Sequence, residues 1–267
     1  LKVRPIIPIS YLDGIRYQRA LIAGCEEIIR HEKELNRINV FPIPDKDTGS
    51  NLKKSLMPLI EHFPINQPRI GRISREIADL AVRYALGYSG IIFSQIFSGL
   101  AEGFRDCDRI HTKGLGPASV SAVRSAYRAI ENPREGTVLT VLKEWSAEVN
   151  NLCSSSEDFT RILEISHQKA LLASKKTPEQ LEILKKSKVV DAGGKAWVYF
   201  LEGILRALEK GKIDKLSEQM PPPGEAIFKE KKEAPYCAEC CVRAKNLNRI
   251  GLIKELSQIG QALIFHG

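Results

Sequence analysis

Two carboxylates one residue apart, Asp45 and Asp47, stand in the stretch NVFPIPDKDTGSNL, residues 39–52. Pro42 and Pro44 fix the backbone just before them. Thr48, Gly49, Ser50 and Asn51 follow as the opening of a helix. Carboxylates at i and i+2 on a constrained loop can converge on one hard cation or on a pair of them. Mg2+ suits this arrangement, because it takes oxygen ligands, keeps several waters and often uses one or two protein carboxylates together with substrate phosphates. The helix start adds N–H groups and the positive end of a dipole, which suit phosphate, and Gly49 lets the backbone approach closely. The combination describes a site for a metal-bound polyphosphate. The alternative is a turn whose aspartates cap the helix. Two further readings fail. An EF-hand needs Gly at position six and Glu at twelve, and counting from Asp45 puts Gly49 at five and Leu56 at twelve. An aspartyl-phosphate phosphatase carries its Asp-x-Asp on a buried strand, which Pro42 and Pro44 exclude.

Three more loop-to-helix junctions carry small or polar residues. ALGYSGIIFSQIFSGL, residues 85–100, places Gly87, Ser89 and Gly90 at a helix start, either as a second phosphate-binding turn or as a Gly-rich helix break. EGTVLTVLKEW, residues 135–145, opens a helix with Thr137, which reads as a cap. VVDAGGKAWVYF, residues 189–200, sets Asp191 before two glycines, to cap the helix or to face a ligand. No Walker A pattern and no dinucleotide-binding pattern occurs. A nucleotide would have to be held by junctions such as these, gathered at one end of a bundle.

The elements that must position them are helices. Leu and Ile recur at three- and four-residue spacing from Leu12 to Ile38. Further helices are expected over Asn51–His62, Ile73–Leu86, Ser89–Arg105, Pro117–Ile130, Gly136–Asn150, Ser156–Ser174, Pro178–Lys185 and Gly194–Lys210. Helices joined by short loops imply an all-α bundle or helical barrel. The pattern divides the chain into a helical domain over 1–216, a linker over 217–234 with three consecutive prolines, and the truncated start of an α/β domain over 235–267. With 43% hydrophobic and 27% charged residues the chain reads as an ordinary globular protein. No apolar run reaches the roughly 20 residues of a membrane span, and the first residues make a poor signal peptide. The chain opens without Met, so a fragment or processed form is expected. Six cysteines in a chain of 267 residues favour reduced thiols and a cytoplasmic location. The formal charge of +8 suits an anionic ligand or a solvated surface.

Four segments, LNRINVFPIPDKDTGSNL, GYSGIIFSQIFSG, EGTVLTV and VDAGGKAWVYFLEG, occur in an order and at spacings that resemble the nucleotide-binding domain of bacterial fatty acid kinases. That domain is related to the ADP-binding subunit of dihydroxyacetone kinase. The resemblance covers roughly residues 10–210, and the tail from Ala234 resembles the beginning of the fatty acid kinase middle domain. It implies an antiparallel α-helical barrel with ATP or ADP and two Mg2+ at one open end. On that pattern Asp45 and Asp47 bind Mg2+, and Asn39 takes the place of a further ligand that is acidic in the dihydroxyacetone branch. Thr48, Gly49, Ser50 and Asn51 line the phosphates with Gly87, Ser89 and Gly90; Thr137 and Leu139 lie near the nucleotide; Asp191 and Gly193 close its rim. The implied reaction moves the γ-phosphoryl group to a fatty acid carboxylate held by a DegV-type lipid-binding partner, separate or fused. Self-association as a homodimer is left open, and neither a nucleic-acid partner nor a membrane span is expected. Lys46 stands where the family has Gly, and could contact phosphate or crowd the metal; Tyr88 stands where it has Asn. Alternative readings are a dihydroxyacetone-type small-molecule kinase subunit and a non-catalytic nucleotide-binding regulatory module. Cys237 matches a zinc ligand whose partner histidines lie beyond residue 267, so Cys237, Cys240 and Cys241 read as plain strand cysteines.

Overall fold

The computed structural model describes residues 8–62 and 66–209, together with 251 and 255. The linker, the α/β segment and the cysteines beyond residue 209 lie outside the described residues. Apart from 251 and 255, the described residues belong to one compact unit. It is mostly α-helical: α1 Gly14–Arg30, α2 Glu32–Ile38, α3 Thr48–Glu61, α4 Ile70–Arg83, α5 Gly87–Gly103, α6 Thr112–Ala129, α7 Val138–Leu152, α8 Phe159–Gln180, α9 Glu182–Ser187 and α10 Ala192–Glu209. Two three-residue strands, β1 Tyr11–Asp13 and β2 Arg109–His111, pair antiparallel with Leu12 opposite Ile110. Strands this short carry no readable alternation, and the sequence gives no sign of them.

The apolar periodicity becomes the core. On α4, Ile70, Ile73, Ile77 and Ala81 are buried; on α5, Phe93, Ile96, Phe97 and Leu100; on α7, Leu139, Leu142, Trp145 and Val149. Trp197 of α10 sits against the α5 and α7 faces, with ring centroids 5.0 Å from Trp145, 5.0 Å from Phe200 and 6.0 Å from Phe93. An apolar cavity of about 130 Å³ remains between Leu21, Phe97, Trp145, Trp197, Phe200 and Leu201.

Close approaches fix the helix directions. A Cβ at Gly99 would lie 2.4 Å from the Ala122 Cα and one at Gly103 2.4 Å from the Ala118 Cα, so α5 and α6 run antiparallel with their backbones nearly touching. Gly116 meets Asn150, and Ser119 meets the Ser146 hydroxyl at 2.9 Å, so α6 and α7 are antiparallel too. Residues 23–27 lie against Gly203 while His31 and Glu34 meet Tyr199, which makes α10 antiparallel to the α1–α2 run.

Helix boundaries differ from the periodicity in instructive ways. The expected Leu12–Ile38 helix breaks at His31, whose N–H bonds the Ile28 carbonyl at 3.0 Å while its ring Nδ1 meets the Glu27 carbonyl at 2.9 Å. Side chain and backbone divide the last carbonyls of α1, and α2 begins at Glu32. α8 runs through Pro178 rather than ending before it, and the Thr177 hydroxyl donates to the Ser174 carbonyl at 2.7 Å, the group that the proline cannot serve. Among the described residues no helix is long and apolar enough to cross a membrane, and Cys25, Cys107 and Cys153 are free thiols.

Candidate functional site

Residues 39–47 link α2 to α3, and the Phe41–Pro42 peptide is cis. Asn39 is buried and donates its side-chain N–H to Asp45 Oδ1 at 2.6 Å. In this geometry it orients Asp45. Asp45 and Lys46 are exposed and Asp47 is half-buried. Burial pushes the Asp47 carboxyl up to about 6, the adjoining Asp45 carboxyl adds to the shift, and the Asn51 side chain opposes it. Two carboxyl groups are thus held together at a cost that a cation between them would remove. Among the described residues no group of three or more His, Cys, Asp and Glu could hold a metal ion. The donor set at this loop is two carboxylates, the number Mg2+ commonly takes when phosphates and waters supply the remainder. Lys46 has φ +58°, in the left-handed region where a side chain costs about 1–2 kcal/mol. A glycine between the aspartates would carry no such cost.

The start of α3 is capped from another helix. Asn36 of α2 accepts from the Gly49 N–H at 2.7 Å and the Ser50 N–H at 3.0 Å, and donates to the Ser50 hydroxyl at 2.9 Å. One turn earlier, Glu32 accepts from the Ser50 hydroxyl at 3.0 Å and from Lys53 at 2.9 Å. The Gly49 and Ser50 N–H groups are therefore engaged within the protein. Asp47, the N-cap by position, makes no side-chain cap bond. Its carboxyl instead meets the side chains of Asn51 and Asp45, and the capping role that the sequence left open for it belongs to Asn36.

The α5 start lies directly against this first turn. Gly87 has φ +61°, and a Cβ there would lie 2.4 Å from Asn51 Nδ2, so both its conformation and its neighbour require glycine. The Ser89 hydroxyl meets the Thr48 carbonyl at 3.4 Å, and Ser55 accepts from the Leu86 N–H at 2.9 Å. Gly90 packs on Ser55. Leu86, the N-cap of α5, has no side-chain acceptor with which to cap it.

The other two junctions adjoin each other. Thr137 accepts from the Leu139 N–H at 3.3 Å and donates to the Arg134 carbonyl at 2.7 Å, so it is the cap of α7, and Leu139 is fully buried in the core. Asp191 is buried and accepts from the Gly194 N–H at 2.7 Å; the Val138 and Gly193 N–H groups also face its carboxylate. Burial still pushes this carboxyl up to about 6. One carboxylate thus ties the first turns of α7 and α10, and Gly193 packs on Val138.

Val138 lies against Gly193, Val141 against Gly194 and Trp145 against Trp197, so α7 runs parallel to α10, and the start of α3 adjoins the start of α5. Since α5 and α7 both oppose α6, all four starts point to one end of the unit, where α2 also terminates. Asp45, Asp47, Asn51, Gly87 and Ser89 form one contiguous group; Thr137, Leu139, Asp191 and Gly193 form a second at that same end, with its polar groups engaged in capping. Asn36 and Glu32 were not legible as site residues. Asn36 precedes Gly49 by 13 positions, and no local pattern marks an asparagine that caps another helix.

Residues 42–206 match the family described as DAK2 domain. The chain is 29% identical over 272 residues to protein YloV of Bacillus subtilis and 29% identical over 270 to SAB1090 of Staphylococcus aureus, covering 96% of this chain and 49% of each relative. A second Staphylococcus aureus protein, SAUSA300_1119, is 31% identical over 207 residues, 77% of this chain and 38% of that one. The chain therefore spans about half or less of the length of these relatives. Among solved structures, the native dihydroxyacetone kinase of C. freundii matches with TM-score 0.54 and 14% identity over 72% of this chain and 34% of that one. The same kinase in complex with AMP-PNP and Mg2+ matches with TM-score 0.55 and 13% identity over 77% and 35%. At these identities the likeness is one of fold.

Proposed function

Because the chain belongs to the DAK2 domain family, we propose that its helical unit is an antiparallel barrel that binds a magnesium–nucleotide complex at the end where α3, α5, α7 and α10 begin. The observation that carries this reading is the contact between the Asp45–Asp47 loop and the α5 start through Asn51 and Gly87. It sets two carboxylates beside a helix start whose N-cap residue has no capping side chain. Asp45 and Asp47 would hold Mg2+, with Asn39 orienting Asp45. Bound Mg2+ would neutralise phosphate oxygens and hold the terminal phosphoryl group in line with its acceptor. The α5 start, Gly87 to Ser89, would face phosphate with the positive end of its helix dipole, with Thr48 and Asn51 alongside, while Gly90, whose N–H is taken by the Leu86 carbonyl, would shape the turn. Gly49 and Ser50, spent on Asn36, would shape the loop rather than contact phosphate. Thr137, Leu139, Asp191 and Gly193 would form the opposite wall of the same end.

The activity we propose is transfer of the ATP γ-phosphoryl group to a fatty acid carboxylate presented by a DegV-type lipid-binding partner. A carboxylate oxygen attacks the γ-phosphorus, the bond to the bridging oxygen of ADP breaks, and an acyl phosphate and ADP result. The acceptor is deprotonated at neutral pH, so the chain need only position and neutralise charge. The segments quoted above, from LNRINVFPIPDKDTGSNL onward, favour this acceptor over a small hydroxyketone, the substrate class suggested by the C. freundii neighbour. Lys46, strained where glycine fits, supports a second reading as a nucleotide-binding regulator without turnover. In either case we place the chain in the cytoplasm, with a second domain after the 217–234 linker. The test is ATP consumption in Mg2+, with and without a lipid-loaded DegV-type protein. Consumption that depends on that partner supports the kinase; nucleotide binding without turnover in both conditions selects the regulator.

A further inference from the structure

We infer that Asn36 is the positioning residue of the metal loop, acting on Asp47 through the first turn of α3. The inference rests on the reading of Asp45 and Asp47 as metal ligands. Asn36 makes three hydrogen bonds to two consecutive residues, Gly49 and Ser50, which begin two positions after Asp47. Its oxygen holds two N–H groups of the helix start, and its N–H₂ group fixes the Ser50 hydroxyl, which Glu32 grips from the other side. The approach is tight: a Cβ on Gly49 would fall 2.2 Å from the Glu32 carbonyl, so α2 rests directly on the backbone it orients. α2 is itself anchored away from the loop. The His31 ring stacks on Tyr199 at 3.7 Å, and the Tyr199 hydroxyl donates to Glu34 at 2.7 Å.

A run of bonds therefore leads from α10 through α2 to the residue that must carry a ligand carboxylate. Without it, the first turn of α3 would depend on Asp47 for a cap. The Asp47 side chain would then turn inward to its own helix and away from a cation, since an aspartate at the N-cap naturally accepts from the N–H groups two or three residues on. By occupying those N–H groups, Asn36 frees Asp47 for the metal. Groups that orient a metal ligand from behind typically set metal affinity by about 10–100-fold.

The test measures AMP-PNP binding to the full chain by calorimetry as a function of Mg2+ concentration. Asn36→Ala is expected to need about 10–100-fold more Mg2+ for half-maximal binding, with nucleotide affinity restored at saturating Mg2+. Asn36→Asp keeps both acceptor bonds and is expected to need no more Mg2+ than the unaltered chain. An unchanged Mg2+ requirement in Asn36→Ala, or a loss that saturating Mg2+ fails to restore, would overturn the assignment. So would a rise of about tenfold in Asn36→Asp, a variant that keeps the cap should Asn36→Ala not fold. If the unaltered chain binds no AMP-PNP in Mg2+, the nucleotide reading fails and this assignment falls with it; an effect absent only in the variants sinks the assignment alone.

Discussion

Lys46 and Asp191 show how the same constraint, a fixed backbone beside a carboxylate, has different consequences. Lys46 is exposed and holds a left-handed conformation between two aspartates. Lys46→Gly removes about 1–2 kcal/mol of backbone strain and returns about 0.5–1 kcal/mol to the unfolded chain as entropy. A net gain of up to about 1 kcal/mol is expected, visible as a higher urea midpoint at unchanged slope. A loss of stability would mean that the lysine side chain makes contacts worth more than the strain. Asp191 is the opposite case, buried and satisfied by backbone N–H groups. Its carboxyl has a folded value of about 6 against an ordinary 3.8, so the folded state holds the proton more tightly. Its contribution is fully present below 3.8 and is lost as pH rises through about 6. Comparison with Asp191→Asn, which does not titrate, isolates that loss. From pH 4 to pH 7 the unaltered chain should lose up to about 3 kcal/mol relative to the variant, as read from unfolding at each pH. Asp191→Ala does not titrate either but also removes the cap, so it should be about 1–2 kcal/mol less stable than Asp191→Asn at each pH.

At the scale of elements, the decisive contacts are between backbones. Helix propensity alone says that Gly99→Ala should stabilise α5 by about 1 kcal/mol. The structure reverses the sign, because the new Cβ would lie 2.4 Å from the Ala122 Cα and 2.5 Å from the Ser121 carbonyl oxygen. Overpacking of this kind costs about 1–3 kcal/mol, so a lower thermal midpoint is expected for Gly99→Ala, and a higher one would contradict the close α5–α6 packing. Most helices were legible from apolar spacing, since Ile70, Ile73 and Ile77 or Phe93, Ile96 and Phe97 can share a buried face only in a helix. The break at His31, the run of α8 through Pro178 and the β1–β2 pair were not. Each depends on a side chain or strand that meets its partner only after folding. Thr177 reads as an ordinary polar residue until its hydroxyl is found on the Ser174 carbonyl.

In the whole molecule, the chemistry follows from direction. Alternating helices bring the starts of α3, α5, α7 and α10 to one end, and only there can residues between 45 and 193 serve one ligand. The sequence revealed those four junctions as turns with small or polar residues. It could not separate caps from ligand contacts, because Asp47 and Asp191 look alike as acids before helices. Folding separates them: Asp191 closes on three N–H groups, while Asp47 is released by Asn36. If the end is a nucleotide site, saturation with Mg2+ and nucleotide at 100 times the dissociation constant should raise stability by about 2.7 kcal/mol. The most direct measurement is calorimetric titration of the chain with AMP-PNP in Mg2+, repeated with EDTA and with the Asp45→Ala/Asp47→Ala variant. The account predicts saturable binding to the unaltered chain, lost in EDTA and lost in a variant that keeps its helical circular dichroism. Equal nucleotide affinity in the variant would contradict it, and would leave the two aspartates as turn residues without a ligand.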